Sequence, residues 1–513
     1  MSSDLIDPSK IWDVIVIGSG IGGSTVAHAL TLRGLDVLVL EKGKRVAAAD
    51  DREQGTAPEA RMERGWWPTP VSERRGDGTY ANVFAAIGCA VGGSSIHYAA
   101  ALERMAPTDF QALTTPARTL PAWPVPYGQF LPYYEAAEAL YRVQLSSDAA
   151  MGRLSEWDRA FMESMRRKGM RPEVLHVGIR YDEECEECIG RVCPRGCKSD
   201  AVSVCLDAAL RRGNCHLLQN CDVQSLEAGA KSVEGVRAIC DGKEILIPGR
   251  VVVLSAGAFR SPLILLRSAS SAWPTGLANG SDQVGRNLMF HTADLFAIWA
   301  PRRYDQRGKQ KKALSIRDFY LAEGERLGYV QSMGIEIGRG AIAAHLKNLM
   351  RNHGIRSERL LSVLAKIPSH LGEALLGDAG LFAAMTEDDP NPDNRVTLDP
   401  DRTDGARFAY TMTDDLRRRA DALRDKFAAG IKPWRLARLS PALTMNYGHP
   451  CGTCRFGDDP DSSVLDRDCR PHGLRNLFVV DASFMPRSGA VNPSLTIAAN
   501  ALRVAPKIAA AAG

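Results

Sequence analysis

No stretch of the 513-residue chain reaches the run of about 18 consecutive apolar residues that a membrane-spanning helix needs. The N-terminus, MSSDLIDPSK, has neither the basic start nor the apolar core of an export signal, and its first apolar run, 14–17, is too short to be one. The chain is therefore expected in the cytoplasm, without membrane insertion. An excess of one charge is also missing: 64 Lys and Arg stand against 60 Asp and Glu, net +4. So small a balance over this length gives no single-sign field to hold nucleic acid or an anionic membrane. Two basic clusters, 307–312 and 417–419, read as a solvated loop and a solvated helix face. Repeats and low-complexity segments are absent too. What remains is an ordinary globular composition, 45% hydrophobic and 24% charged, in a chain long enough for two or three domains. Cysteine is not scarce. There are 12, and Cys185, Cys188, Cys193 and Cys197 lie close together. Without an export signal, such clustering suggests metal or redox chemistry more than a disulfide framework.

Residues 12–17, WDVIVI, are mostly β-branched and apolar, which suits a strand buried in a parallel sheet. The turn GSGIGG follows, with Gly18, Gly20 and Gly23 in G-x-G-x-x-G spacing. A helix is expected over 24–32, ended by Gly34, then a second strand over 36–40 closed by Glu41. Gly18 permits the tight turn, Gly20 lets the backbone approach a pyrophosphate, and Gly23 lets the helix pack on the strand. The helix N-terminus favours phosphate, and Glu41 can accept hydrogen bonds from ribose hydroxyls. Strand, turn, helix, strand and terminal acid in this order make an ADP site the reading. They do not distinguish NAD from FAD.

Near the other end, 477–481 (LFVVD) reads as a strand ending in an acid, and 494–511 as a closing helix. Asn492 stands at or near its N-cap and Pro493 at its first position. Six segments now carry a resemblance: GSGIGG, AVGGSSIHY at 90–98, LSAGAFRSPLILLRS at 254–268, VGRNLMFH at 284–291, HPCGTCRFG at 449–457 and VVDASFMPRSGAVNPSLTIAANALR at 479–503. Together and in this order, they resemble the glucose–methanol–choline (GMC) family of flavoproteins. That resemblance implies FAD as the cofactor, held in part by Gly92 and Gly93. It implies a helix N-terminus, here near Pro493, pointing at the flavin pyrimidine, and Asp481 at the ribityl and phosphate region; a strand-end cap is a second role open to Asp481.

The family also places a catalytic histidine at His449, within a glycine-rich loop that can run close to a ligand. A histidine suits a base near neutral pH. The family's second site residue aligns with Asn492, which can hydrogen-bond a substrate oxygen but cannot be the base; a plain helix cap is its other reading. His97 follows Gly92 and Gly93 at a spacing where some members link histidine covalently to the flavin and others do not. The implied reaction is oxidation of a CH–OH donor (a sugar, glycoside, polyol or aminoglycoside-like alcohol) to a carbonyl, with oxygen or a redox partner as acceptor. An electron-transfer subunit and a non-redox flavin-binding lyase are the competing readings.

The cysteines of CEECIGRVCPRGCKSDA have C-x2-C-x4-C-x3-C spacing. Four thiolates can hold an iron–sulfur cluster or zinc, three of them a three-iron cluster, and disulfides or free thiols are the alternatives. Some bacterial relatives carry an iron–sulfur cluster on a comparable insertion with different spacing. Asp182, Glu183, Glu184, Glu186 and Glu187 disfavour a dense patch of thiolates. A cluster would give electrons an exit and favour a dehydrogenase over an oxidase.

The expected fold is α/β. A discontinuous Rossmann-like FAD-binding domain comprises 10–110, 200–292 and 441–513. A substrate-binding region on an antiparallel sheet comprises 111–199 and 293–440, including the insertion 185–197. Stretches 65–80 and 120–127 read as ordered loops, 104–110 as a turn out of the FAD domain, Arg395–Leu398 as a short strand of the substrate sheet, and 414–428 as an amphipathic helix with its arginines outward.

Overall fold

The computed structural model describes residues 10–53, 66, 71–83, 85–115, 118–334, 343, 346–347, 350, 357–402, 405–439 and 442–513. Part of the expected loop 65–80 lies outside these residues; 71–74 and 80–83 are short strands.

The apolar run after the N-terminus forms β1 (Trp12–Ile17), followed by α1 (Ile21–Thr31) and β2 (Val37–Leu40). The helix starts three residues earlier than the sequence suggests, directly on the glycine turn. Strands β3 (Cys215–Leu218), β4 (Cys221–Ala228), β5 (Val233–Cys240) and β6 (Lys243–Leu254) join them, and α2 (Gly257–Arg267) follows. The sheet order is β3-β2-β1-β6-β5-β4. β3, β2, β1 and the second half of β6 are parallel, whereas β4, β5 and the first half of β6 run antiparallel. β2 is apolar throughout and β1 apolar except for Asp13, as suits strands of a parallel sheet covered on both faces. Cys221 and Cys240, cross-strand neighbours on β4 and β5, form a disulfide that the sequence did not suggest.

A second sheet is antiparallel. It contains β7 (Met289–Trp299), β8 (Leu314–Ile316), β9 (Tyr329–Ser332), β10 (Ala379–Met385), β11 (Arg435–Arg438) and β12 (Thr444–Cys451), with a short edge strand Glu173–Val174. β7 is central: β10 flanks one edge, and β11 and β12 share the other. The segment 444–451, expected with the FAD-binding half, thus pairs into this sheet. Its apolar face packs on Trp157, Phe161, Phe427 and Trp434.

β13 (Leu477–Val479) returns to the first sheet and pairs parallel with β6; α4 (Ser494–Ala512) then packs beside α1. Strand Arg395–Leu398 forms, but in a separate four-stranded sheet with 406–409, 71–74 and 80–83, where parallel pairing of 406–409 with 71–74 joins distant parts of the chain.

Helix α3 (Asp414–Gly430) is amphipathic as expected, with one correction. Arg419 is 0% exposed. Its guanidinium donates to Asp415 and Asp389, both at 2.8 Å, and to the carbonyl of Glu387 at 2.7 Å. Asp415 lies one turn earlier on the same helix, but Asp389 and Glu387 come from another segment, which helical periodicity alone did not reveal. Removing one partner of a buried ion network strands the other charges, whereas an exposed arginine costs little. Arg419→Ala should therefore lose about 3–5 kcal/mol in equilibrium urea unfolding. Arg417→Ala should stay within about 0.5 kcal/mol.

Candidate active site

A cavity of about 700 Å³ runs between the two sheets. At one end lie the β1 turn, Glu41, Asp222 and Asp481; at the other lie Thr292, Leu295, Lys312, Gln331, Met385, His449 and Asn492.

Gly18 adopts φ +95°, and a Cβ there would meet the Ser255 carbonyl oxygen at 2.3 Å, so only glycine fits the turn. A Cβ on Gly23 would meet the Gly18 carbonyl oxygen at 1.9 Å, which agrees with its packing role. Gly20 differs: a Cβ there would meet nothing within 4 Å and would project into open space beside the cavity it lines. That is the geometry a closely approaching ligand requires. Gly93 also lines the cavity, and its own Cβ would stand 3.0 Å from the Gly20 Cα. Gly92 and Gly23 shape the wall from behind.

Ser19 was missed in the sequence. Its hydroxyl donates to Glu41 at 2.6 Å and accepts from the Gly92 N–H at 2.9 Å, binding the two glycine turns together. Glu41 also accepts from the Ser19 and Gly43 N–H groups. Burial raises its pKa and these bonds oppose the rise. Asp481 accepts from the N–H groups of Gly257 at 2.9 Å and Ser483 at 2.8 Å, and from the Ser261 hydroxyl. It caps the turn after β13 and lines the cavity at once. His97 lies in the wall with Nε2 3.5 Å from Asp51.

At the other end, α4 begins at Ser494 with Pro493 as its N-cap residue, and no side chain caps it. Pro493, Ser494 and Ile497 line the cavity, which therefore faces uncapped N–H groups and a positive dipole end. Asn492 does not cap the helix. Its Oδ1 lies 2.7 Å from the Tyr329 hydroxyl, which leaves the Nδ2 amide end for the cavity.

His449 is on β12 rather than in a loop. Its Nδ1 lies 3.0 Å from Nδ1 of His291, whose Nε2 lies 3.1 Å from the Ser488 carbonyl oxygen. A carbonyl only accepts, so neutral His291 carries its proton on Nε2 and presents a bare Nδ1. His449 satisfies it by carrying its own proton on Nδ1, leaving its Nε2 bare. Asn446 Nδ2, 3.2 Å from His449 Nδ1, opposes this tautomer. The reverse arrangement would turn a buried His291 lone pair against the Ser488 oxygen, at greater cost. His291 ends the segment 284–291 but had no role assigned from sequence; only its pairing across β7 and β12 reveals one. Desolvation, then His291 and Lys312, push the His449 pKa down to about 3, well below the near-neutral value expected.

The four clustered cysteines are free thiols that line one small pocket of their own. Cys197 Sγ is also 3.5 Å from Asp182. Among the described residues no three or more His, Cys, Asp or Glu side chains are placed to hold a metal. An iron–sulfur or zinc assignment to these cysteines thus has no support in the geometry.

Residues 12–293 and 385–501 match two models of the family described as GMC oxidoreductase. The chain belongs to the GMC oxidoreductase family. Its relatives include the 6'''-hydroxyparomomycin C oxidase of Streptomyces lividus, 29% identical over 98% of this chain and 92% of that protein. The fructose dehydrogenase large subunit of Gluconobacter japonicus is 26% identical over 97% of each chain. Among solved structures, pyridoxine 4-oxidase from Mesorbium loti superposes with a TM-score of 0.66 at 21% identity, over 97% of this chain and 99% of its own. Formate oxidase from Aspergillus oryzae gives 0.69 at 15%, over 98% and 99%; both show the fold. This GMC oxidoreductase is an FAD-dependent enzyme acting on CH–OH donors, and the cavity fits FAD: open space at Gly20, a ribose-side acid, and an uncapped helix end.

Two outcomes check these assignments. Gly20→Val should keep the far-ultraviolet circular dichroism of the native protein yet purify with little flavin; full flavin content would show that nothing approaches Gly20. Metal analysis of the purified enzyme should find no stoichiometric iron, under a visible spectrum of flavin alone.

Proposed function

We propose that this GMC oxidoreductase converts a small polyhydroxylated alcohol to a carbonyl compound, with His449 as the base and Asn492 as the donor to the substrate oxygen. The observation that carries the reading is the complementary presentation of these two side chains. Tyr329 occupies the Asn492 oxygen and turns its amide N–H groups to the cavity, while His291 occupies His449 Nδ1 and leaves Nε2 bare. An alcohol O–H placed between them meets one acceptor for its proton and one donor for its oxygen. FAD, when bound, supplies the hydride acceptor.

The low pKa of His449 keeps it unprotonated at neutral pH, so the base is always ready. It is a weak base until the substrate oxygen gains negative charge, which the Asn492 amide stabilises. Leu295, Met333, Ala383 and Met385 exclude water around the pair. His291 is a positioning residue: it holds the His449 ring and its tautomer. Glu41, Gly18, Gly20 and Gly93 would hold the ADP half of FAD; Asp481, Pro493 and His97 lie where the rest would pass.

Similarity to a 2-methyl-1,2-propanediol dehydrogenase, a fructose dehydrogenase subunit and a paromamine 6'-oxidase supports an alcohol donor of the polyol, sugar or aminoglycoside type. The relatives include both oxidases and dehydrogenases. The proposal therefore covers the oxidation of the alcohol and leaves the acceptor open.

Anaerobic mixing with an oxidisable alcohol should bleach the flavin. His449→Ala should slow that step about 100- to 10,000-fold, and Asn492→Ala on the order of 100-fold. Unchanged single-turnover reduction in His449→Ala would rule out the base assignment. Because the folded pKa lies near 3, the rate should stay level as pH falls from about 7 to about 5. An acid limb centred at the ordinary histidine value would contradict the buried environment of His449.

A further inference from the structure

The basic cluster 307–312 does not behave as a solvated loop at its last member. Lys312 is 3% exposed and lines the cavity on the substrate side. Its ammonium donates to the Ser332 carbonyl at 3.2 Å, and among the described residues no carboxylate forms an ion pair with it. An ammonium carries three donors, so two remain for whatever enters. The neighbouring Glu187 carboxylate acts on the ammonium only from beyond ion-pair distance, its oxygens taking the Tyr181 hydroxyl at 2.5 Å and the Lys311 N–H at 2.6 Å, with the Lys312 N–H at 3.4 Å; burial outweighs that attraction and lowers the Lys312 pKa to about 8. The position of Lys312 also matters. Its charge helps to hold down the His449 pKa, so the ammonium and the base share one electrostatic environment.

The other charges of the cavity are distributed unevenly. Its carboxylates among the described lining residues are Glu41, Asp222 and Asp481, all at the end of the β1 turn and β13. The substrate end has Lys312, the imidazole of His449, and the amides of Gln331, Asn446 and Asn492, with no acid among the described lining residues. A buried ammonium facing such surroundings has Glu187 at a distance but no carboxylate in direct contact.

We infer that Lys312 anchors the substrate, and that the alcohol oxidised in this cavity also bears a carboxylate. The inference rests on reading this end as the substrate site, and it narrows that reading. A sugar acid or other hydroxy acid supplies the missing anion and leaves a hydroxyl for His449 and Asn492. A polyamine such as paromamine brings further positive charge towards Lys312, where no acid among the described residues offsets it.

The test uses the FAD-loaded enzyme and starts with binding, read from the flavin absorption spectrum. Acetate should bind the native enzyme at least about tenfold more tightly than acetamide, and Lys312→Met should abolish that difference. Lys312→Arg, which keeps the charge, should retain a preference for acetate. Equal binding of acetate and acetamide by the native enzyme overturns the inference without any variant. So does an acetate preference that survives Lys312→Met. Anaerobic reduction by gluconate, sorbitol and paromamine supplies the second comparison. Gluconate should have the highest kcat/KM and paromamine the lowest, with a gap of at least about tenfold; a paromamine value equal to or above gluconate sinks the idea. Neither binding measurement depends on His449, so a failed base assignment and a failed Lys312 assignment give separate results.

Discussion

Strand β6 is the constraint on which the cavity depends. Its second half is hydrogen-bonded to β1 on one side and to β13 on the other, so the first and last strands of the sheet end at the same edge. The loops leaving them must then pass through one crowded place. A Cβ on Gly18 would strike the Ser255 oxygen beyond β6, and a Cβ on Gly22 would strike the Val480 oxygen beyond β13, each at 2.3 Å. Crowding at that edge is also what brings two helix starts, those of α1 and α2, to a single opening. An extended anionic cofactor finds its partial positive charges there without a cluster of arginines.

The second sheet contributes the opposite character. Its cavity face carries neutral donors, the imidazole of His449 backed by that of His291, and one ammonium. Such a wall is poorly suited to a cation and well suited to an oxygen that is losing its proton. The preorganisation is mostly indirect. Tyr329 orients Asn492, His291 orients His449, and the Ser488 carbonyl orients His291. The cavity-lining side chains of Asn492 and His449 are thus each fixed by a neighbour that does not itself line the cavity.

Local patterns were legible in the sequence and long-range neighbours were not. The run from β1 to Glu41 declares itself because turn, helix and strand follow one another within a few tens of residues, and each step has its own residue requirement. The strand at 477–479 and the helix from Ser494 declare themselves similarly. Asn492 was read as a possible cap because it precedes a helix, yet its partner Tyr329 comes from another strand. Arg419 and Lys312 each sat in a basic run and looked solvated; what covers them arrives from distant segments. The thiol spacing suggested a metal, but spacing does not say how the sulfurs face one another, and among the described residues no three ligands are placed to hold one. The family resemblance pointed to His449 without indicating that its environment would be so reluctant to accept a proton.

The pairing of β13 with β6 has a consequence for how the molecule comes into being. These strands are joined across on the order of 200 intervening residues, so their contact is among the costliest in loop-closure entropy. During synthesis, β1, α1 and β6 emerge long before their last partner. Until β13 arrives, the edge of β6 that it later covers is an unpaired parallel strand edge, open to mispairing with another chain. The complete cradle cannot exist on a nascent chain from which β13 has not yet emerged, so capture of a cofactor there waits for that strand.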